Sequence, residues 1–498
     1  MPRSVVEDVW PLSPLQEGLL FHAAFDEQGP DVYQGQRVLD LDGPLDAARL
    51  RRSWETLVAR HPVLRASIRG RKSGGAVQVI ADHAELPWRE ADVTDLPEAD
   101  ASARIDELAA GERARRFDLS VAPLLRLLLI RLGAHRHQLV LTSHHILTDG
   151  WSLPVLIDEA SAVYKAGGDD RTLPAPASYR DYLAWLGRQD KDAARRAWRA
   201  ELAGVDEPTE VVSPELVRAP IGQERVRFEL SDELSRGLTE LVRGRGLTVN
   251  TVLQGVWALE LARLTGRTDV VFGTTVAGRP PELPGVESII GLFINTLPVR
   301  VALEGGQPVG ELLAGIQERR SALLAHQHIG LPEIHQLAGP GAVFDTIVVY
   351  ENYPRGPEEP AEPGSLTIRP GGVPEDRGHY PLAWIVAPGE RYQGDFLYRP
   401  DVFGHAWARS TLASLIRTLE QVVADPSLPV GRIAALDDAG RSPVVEEWNR
   451  TAAPGCCSSG RRPPRRRRRR WWAPSLQGSR SLTPTASWPG RRGGWRGT

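Results

Sequence analysis

The sequence predicts an α/β protein folded as two similar-sized lobes. Segments rich in β-branched and apolar residues alternate with amphipathic helical segments. A polar, turn-rich stretch, Gly167-Gly-Asp-Asp-Arg-Thr-Leu-Pro-Ala-Pro-Ala177, divides the two halves. Hydrophobic residues make up 41% of the 498, enough for sizeable cores and too many for a disordered chain.

Each element follows from its local pattern. Ala47 to Arg60 is helical, with Leu50, Trp54, Leu57 and Val58 at helical spacing. Val77 to Ile80 and Gln138 to Thr142 suit strands, and Pro154 to Lys165 is a helix close behind the second. Tyr179 to Leu202 reads as helical, Val226 to Leu230 alternates like a strand, and Thr248 to Thr265 is a long helix. Asp269 to Thr275, Thr296 to Val301, Thr346 to Tyr350 and Leu382 to Val386 are further strands. Pro354 to Gly378, dense in Pro and Gly, is expected to be a mobile loop. His405 to Val423 is a final amphipathic helix. No repeat of fixed period is visible, which argues against a solenoid.

Composition narrows the function. No window approaches 18 uninterrupted apolar residues and the N-terminus has no apolar signal region, so a cytoplasmic location with no membrane partner is expected. The only cysteines, Cys456 and Cys457, rule out a disulfide framework and a Cys-based zinc site. Residues 455–498 hold 12 Arg and no acidic residue, so residues 1–454 carry 48 basic against 63 acidic groups, a net charge of −15. An acidic body argues against nucleic acid as a partner. The 455–498 segment also holds four Trp and lacks Lys, Ile, Val and Phe. It is expected to be a disordered Arg/Pro/Trp/Gly-rich tail, with the composition of out-of-frame translation of GC-rich DNA. A basic nucleic-acid arm is the competing reading.

Chemistry concentrates in Ser143-His144-His145-Ile146-Leu147-Thr148-Asp149-Gly150-Trp151-Ser152, between a predicted strand and helix. An imidazole can accept a proton near neutral pH, and a glycine permits close approach of a ligand. A hydrogen-bonded structural turn is the plain alternative. A metal site is not expected, because the histidines are not at helical i, i+4 spacing and no third ligand is evident. No Gly-x-Ser-x-Gly elbow supports a serine triad.

This stretch is similar to the His-His-x-x-x-Asp-Gly motif of nonribosomal peptide synthetase condensation domains. Five further segments resemble that family's motifs, in family order. They are Ser13–His22, Tyr179–Trp185, Ile290–Arg300, His326–His328 with Leu331–Glu333, and Phe344–Thr346 with Glu351–Pro354. The resemblance covers about residues 8–430. It implies two chloramphenicol-acetyltransferase-like lobes forming a V-shaped pseudo-dimer, with an active-site tunnel between them. The lobes would be residues 1–170 and 171–430. Residues 431–454 would be the linker to an adenylation domain before which the chain is truncated.

The resemblance further implies amide-bond formation between two thioesters. A donor acyl or peptidyl chain arrives on an upstream carrier protein and an acceptor aminoacyl group on a downstream one. The chain itself binds no cofactor; 4'-phosphopantetheine is carried by the partners. His145 would be catalytic, with His144, Asp149, Gly150 and Arg279 supporting it. Asp149 would pair with Arg279, and Trp151 and Asn295 are candidates to line the tunnel. Paired histidines disfavour a heterocyclisation domain, and the motif set resembles condensation domains that accept a D-configured donor. The alternatives are an epimerisation domain, an acyltransferase with a soluble acceptor, and a non-catalytic carrier-docking remnant.

Overall fold

The computed structural model describes residues 5–25, 33–72, 74–216, 222–353, 365–375 and 378–434. The 455–498 tail and all but the first four residues of the 431–454 linker lie outside the described residues. In chain order the first half forms β1 (Val6–Pro11), α1 (Pro14–Phe25), β2 (Gln34–Asp42), α2 (Ala47–Arg60), β3 (Ala66–Gly70), β4 (Ala76–Ala81), β5 (Trp88–Asp92), α3 (Glu98–Ala114), β6 (Leu125–Arg131), β7 (Arg136–His144), α4 (Ser152–Lys165) and α5 (Tyr179–Gly187). Then come α6 (Lys191–Glu201), β8 (Glu224–Glu229), α7 (Asp232–Arg245), α8 (Val249–Thr265), β9 (Asp269–Val276), β10 (Asn295–Ala302), α9 (Val309–Ala322), α10 (Leu331–Ala338), β11 (Thr346–Tyr350), β12 (Thr367–Glu375), β13 (Leu382–Ala387), β14 (Gln393–Tyr398) and α11 (His405–Ala424).

The strands form two main sheets, one per lobe. The first runs β12-β2-β7-β6-β5, the second β10-β9-β11-β13-β14-β8, and a three-stranded sheet β1-β4-β3 flanks the first lobe. Alternation along a strand sends neighbouring side chains to opposite faces. On β7, Leu139 and Leu141 pack with Trp54 and Leu57 of α2 and Leu156 and Ala160 of α4. Val140 faces the other way, packing with Leu128 and Ile130 under Ile105 and Leu108 of α3. The second lobe buries Trp257, Phe272, Trp384 and Phe396 in one core, with Trp257 and Trp384 stacked at 6.2 Å.

Helix ends carry their own signals. Asp46 caps α2 by accepting from the Arg49 N–H at 2.9 Å, and Thr248 caps α8 while Gly266 closes it in the left-handed conformation. The stretch 179–202 is two helices rather than one. Asp190 accepts from the Ala193 N–H at 2.8 Å, capping a new start three residues past the end of α5.

One expectation is corrected. The loop expected over 354–378 contains β12, which pairs antiparallel with β2 from Thr367↔Asp42 to Gly371↔Val38. Its Pro370 is tolerated because, among the described residues, β12 is the edge strand of its sheet. Packing reaches across the 170/171 position. Tyr179, Tyr182, Leu183, Leu283, Ile290 and Phe293 all pack into the first lobe's core. Those residues lie beyond the polar stretch because burial of a large apolar face outweighs proximity in sequence.

Candidate active site at the end of strand β7

The strand's alternation separates the two histidines. His144 falls on the α3 face, fully buried, and its Nδ1 accepts from the Ile146 N–H at 3.0 Å. That contact leaves the proton on Nε2. His145 lies on the opposite face with Leu141 and Ser143, partly exposed in the wall of a cavity of about 40 Å³. Its backbone N–H donates to the Tyr33 carbonyl at 2.8 Å, which ties the turn to the start of β2. The Tyr33 hydroxyl in turn lies 2.8 Å from Nδ1 of His379, a residue of the second half.

Asp149 closes the turn. Its carboxylate is fully buried; Oδ1 accepts from the Ser152 N–H at 2.9 Å and the Ser152 hydroxyl at 2.8 Å, and Oδ2 accepts from the Phe293 N–H at 3.1 Å. The Arg279 Nη2 lies 3.1 Å from Oδ1. Arg279 also donates through Nη1 to the carbonyls of Val286, at 2.6 Å, and Ile289, at 2.9 Å, and its guanidinium lies 4.0 Å from the Phe293 ring centre. Burial pulls the Arg279 guanidinium below its usual range, and the Asp149 charge opposes that pull. One buried ion pair thus binds the turn after β7 to the 279–293 segment of the second half. The Ser152 hydroxyl oxygen in turn accepts from the Gly291 N–H at 3.1 Å.

Gly150 shares the cavity wall with His145. A Cβ at this position would meet the Tyr353 ring, with Cζ at 2.6 Å. The glycine therefore accommodates an aromatic ring from just beyond β11. Tyr353 lies within the family-like Glu351–Pro354 segment, whereas His379 does not stand out in the sequence, since the contact that places it spans 346 residues.

The two candidates for the tunnel wall both hydrogen-bond to backbone carbonyls. The Trp151 indole N–H donates to the Glu287 carbonyl at 3.0 Å, and its ring lies 5.2 Å from the Arg279 guanidinium. Asn295 is buried, its amide donating to the carbonyls of Gln327, at 2.9 Å, and Ile329, at 2.8 Å, and its Oδ1 accepting from the Thr296 N–H. Neither lines the His145 cavity. Among the described residues no three His, Cys, Asp or Glu side chains gather as metal ligands, and no helix is long and apolar enough to cross a membrane.

A partly exposed imidazole beside a rigid, charge-locked turn can accept a proton from an incoming nucleophile. Comparison with known proteins agrees on the kind of protein that carries this turn. A family model described as "Condensation domain" matches residues 6–444. Bacitracin synthase 3 of Bacillus licheniformis is 31% identical over 460 residues, 91% of this chain and 7% of that protein. Surfactin synthase subunit 3 of Bacillus subtilis (strain 168) is 31% identical over 446 residues, 88% of this chain and 35% of that one. This chain thus spans a small part of the relatives it matches. Among solved structures, the X-domain from teicoplanin biosynthesis superposes with a TM-score of 0.71 at 26% identity, covering 88% of this chain and 98% of that chain. The first condensation domain of the calcium-dependent antibiotic synthetase, in complex with a substrate analogue, gives 0.71 at 24% identity over 86% of this chain and 100% of that one, a likeness of fold.

Proposed function

The chain belongs to the condensation-domain family, and from that premise we propose that it forms an amide bond between two carrier-bound thioesters in nonribosomal peptide assembly. The single observation that carries this reading is the partly exposed His145 imidazole in the wall of the cavity, on a turn clamped by the buried Asp149–Arg279 pair.

The acceptor's α-amine must be neutral to attack. Its lone pair forms the new C–N bond at the donor carbonyl carbon, and the C–S bond breaks as the donor's pantetheine sulfur leaves. The amine loses one proton overall, which His145 accepts and the departing thiolate takes up. Holding both thioesters against one turn raises their effective concentration. The upstream and downstream carrier proteins are the proposed partners, and each supplies its own 4'-phosphopantetheine arm as part of the substrate. His144 and Arg279 act through the turn's geometry rather than on the substrate.

The test is dipeptidyl-thioester formation followed by mass spectrometry, with a loaded donor and a loaded acceptor carrier protein. Replacing the general base, His145→Ala, is expected to slow the reaction about 10²–10⁴-fold while leaving the fold intact. An unimpaired variant overturns the assignment.

A further inference from the structure

The turn that carries His145 is tied through its backbone as well as through Asp149. The His145 N–H donates to the Tyr33 carbonyl at 2.8 Å, and the Ile146 N–H donates to Nδ1 of His144 at 3.0 Å. The Ile146 carbonyl accepts from Nε2 of Gln16 at 2.8 Å. Three consecutive peptide groups, the two that flank the His145 Cα and the next, are thereby held. The last tie comes from a side chain of α1, 130 residues away.

Gln16 opens α1 in a capping box. Ser13 Oγ accepts from the Gln16 N–H at 3.4 Å, and Gln16 Oε1 accepts from the Ser13 N–H at 2.9 Å. The cap uses only the oxygen of the Gln16 amide, so a glutamate would serve it as well. The nitrogen is left over, and it goes to the turn. It donates to the Ile146 carbonyl and, at 3.1 Å, to Oε1 of Gln78 on β4. The Gln78 amide in turn donates to Gln16 Oε1 at 3.0 Å and to the Pro11 carbonyl at 2.9 Å. Both glutamines are fully buried. A backbone N–H at one end and a backbone carbonyl at the other fix which way the Gln16 amide faces. Without that amide the buried Ile146 carbonyl loses its partner, a state the turn would escape by moving.

We propose that Gln16 is a positioning residue for the condensation reaction, holding the turn through the Ile146 carbonyl so that the His145 imidazole meets the acceptor amine. The inference rests on reading His145 as the general base. Proton transfer demands hydrogen-bond contact between base and nucleophile, and a displacement of about 1 Å can cost about 10²-fold in rate.

The test is Gln16→Met on the full chain, a change that keeps the side chain's length and removes its amide. In the carrier-protein assay kcat and kcat/KM are expected to fall together, about 10- to 100-fold, as they do when a contribution made only in the transition state is lost. Leu238→Ala, in the second-lobe core, controls for lost stability and is expected to keep kcat within about twofold. Beside His145→Ala, Gln16→Met is expected to change the rate by less than about twofold, because no imidazole remains to be placed. Unchanged kcat in Gln16→Met, or a loss that persists in full beside His145→Ala, overturns the proposal. Gln16→Asn, whose amide falls one methylene short of Ile146, is read in the same way if Gln16→Met does not fold. Independently of turnover, the imidazole resonance that His145→Ala deletes is followed in histidine-labelled protein. Gln16→Met is expected to shift it and Leu238→Ala to leave it in place. A shift in a chain that forms no amide keeps the placement of His145 by Gln16, and the condensation reading falls alone. Amide formation with an unmoved resonance removes the role of Gln16 and leaves the condensation reading standing.

Discussion

The two lobes use similar sheets for different ends. In the second lobe the sheet is closed over by stacked aromatic side chains, Trp257 against Trp384 with Phe396 beside them, all fully buried. In the first lobe the corresponding space between sheet and helices is incompletely filled, and His145 stands in its wall. The second lobe nonetheless reaches into the first: Arg279, Phe293, Tyr353 and His379 all come from the second half and meet the turn after β7 or its neighbour Tyr33. The difference teaches that one lobe carries the His145 turn while the other half of the chain carries the groups bonded to it and to Tyr33.

The most severe way to break that division is to cut the clamp. Asp149→Ala leaves the Arg279 cation buried without its carboxylate and strips acceptors from Ser152 and the Phe293 N–H. The expected cost is about 3–5 kcal/mol in urea unfolding, whereas His145→Ala in the same turn is expected to stay within about 0.5 kcal/mol of the parent. Equal stability of the two variants would show that the clamp is not what holds the turn.

A milder variant sharpens the contact between lobes. Gly150→Ala places a methyl against the Tyr353 ring and is expected to cost about 1–3 kcal/mol, the range for overpacking. Combining it with Tyr353→Ala is expected to restore at least half of that loss. If the double variant is no more stable than Gly150→Ala, the glycine answers to backbone conformation rather than to the ring.

The smallest effect lies wholly within the second half. Asp345 accepts from the backbone N–H groups of Val211 and Val212 at 2.8–3.0 Å, yet burial pushes its carboxyl up to about 6. Its folded value exceeds its unfolded one, so the folded state holds the proton more tightly between those values. Its contribution is therefore greatest below about pH 4, falls as pH rises to about 6, and is flat above. Asp345→Asn is expected to remove about 1–2 kcal/mol of that pH dependence, seen as the difference between the two proteins' thermal melts at pH 4 and pH 7. Parallel curves would show that the carboxyl does not titrate in this range.

Local pattern sufficed where an element's own residues determine it. The helix over Ala47–Arg60 and the strand over Thr346–Tyr350 have the bounds their periodicity predicts. It failed where a distant partner decides. β12 reads as a loop because Pro and Gly dominate it, but the open edge of β2, some 330 residues earlier, supplies its hydrogen bonds. The same holds for the site. The motif around His145 is legible as a polar turn between a strand and a helix, and its likeness to a family agrees with the family model over residues 6–444. Trp151 and Asn295 look available in sequence and are committed in the fold to carbonyls 136, 32 and 34 residues away.

The borrowed edge strand has a practical consequence for anyone recombining such domains. A graft that joins residues 1–170 to a foreign partner removes β12 and uncovers the outer margin of β2, a row of bare amides and carbonyls that invites another chain to add itself. Exchange points placed outside the whole interlaced pair keep that margin covered, so the lobes are best transplanted together.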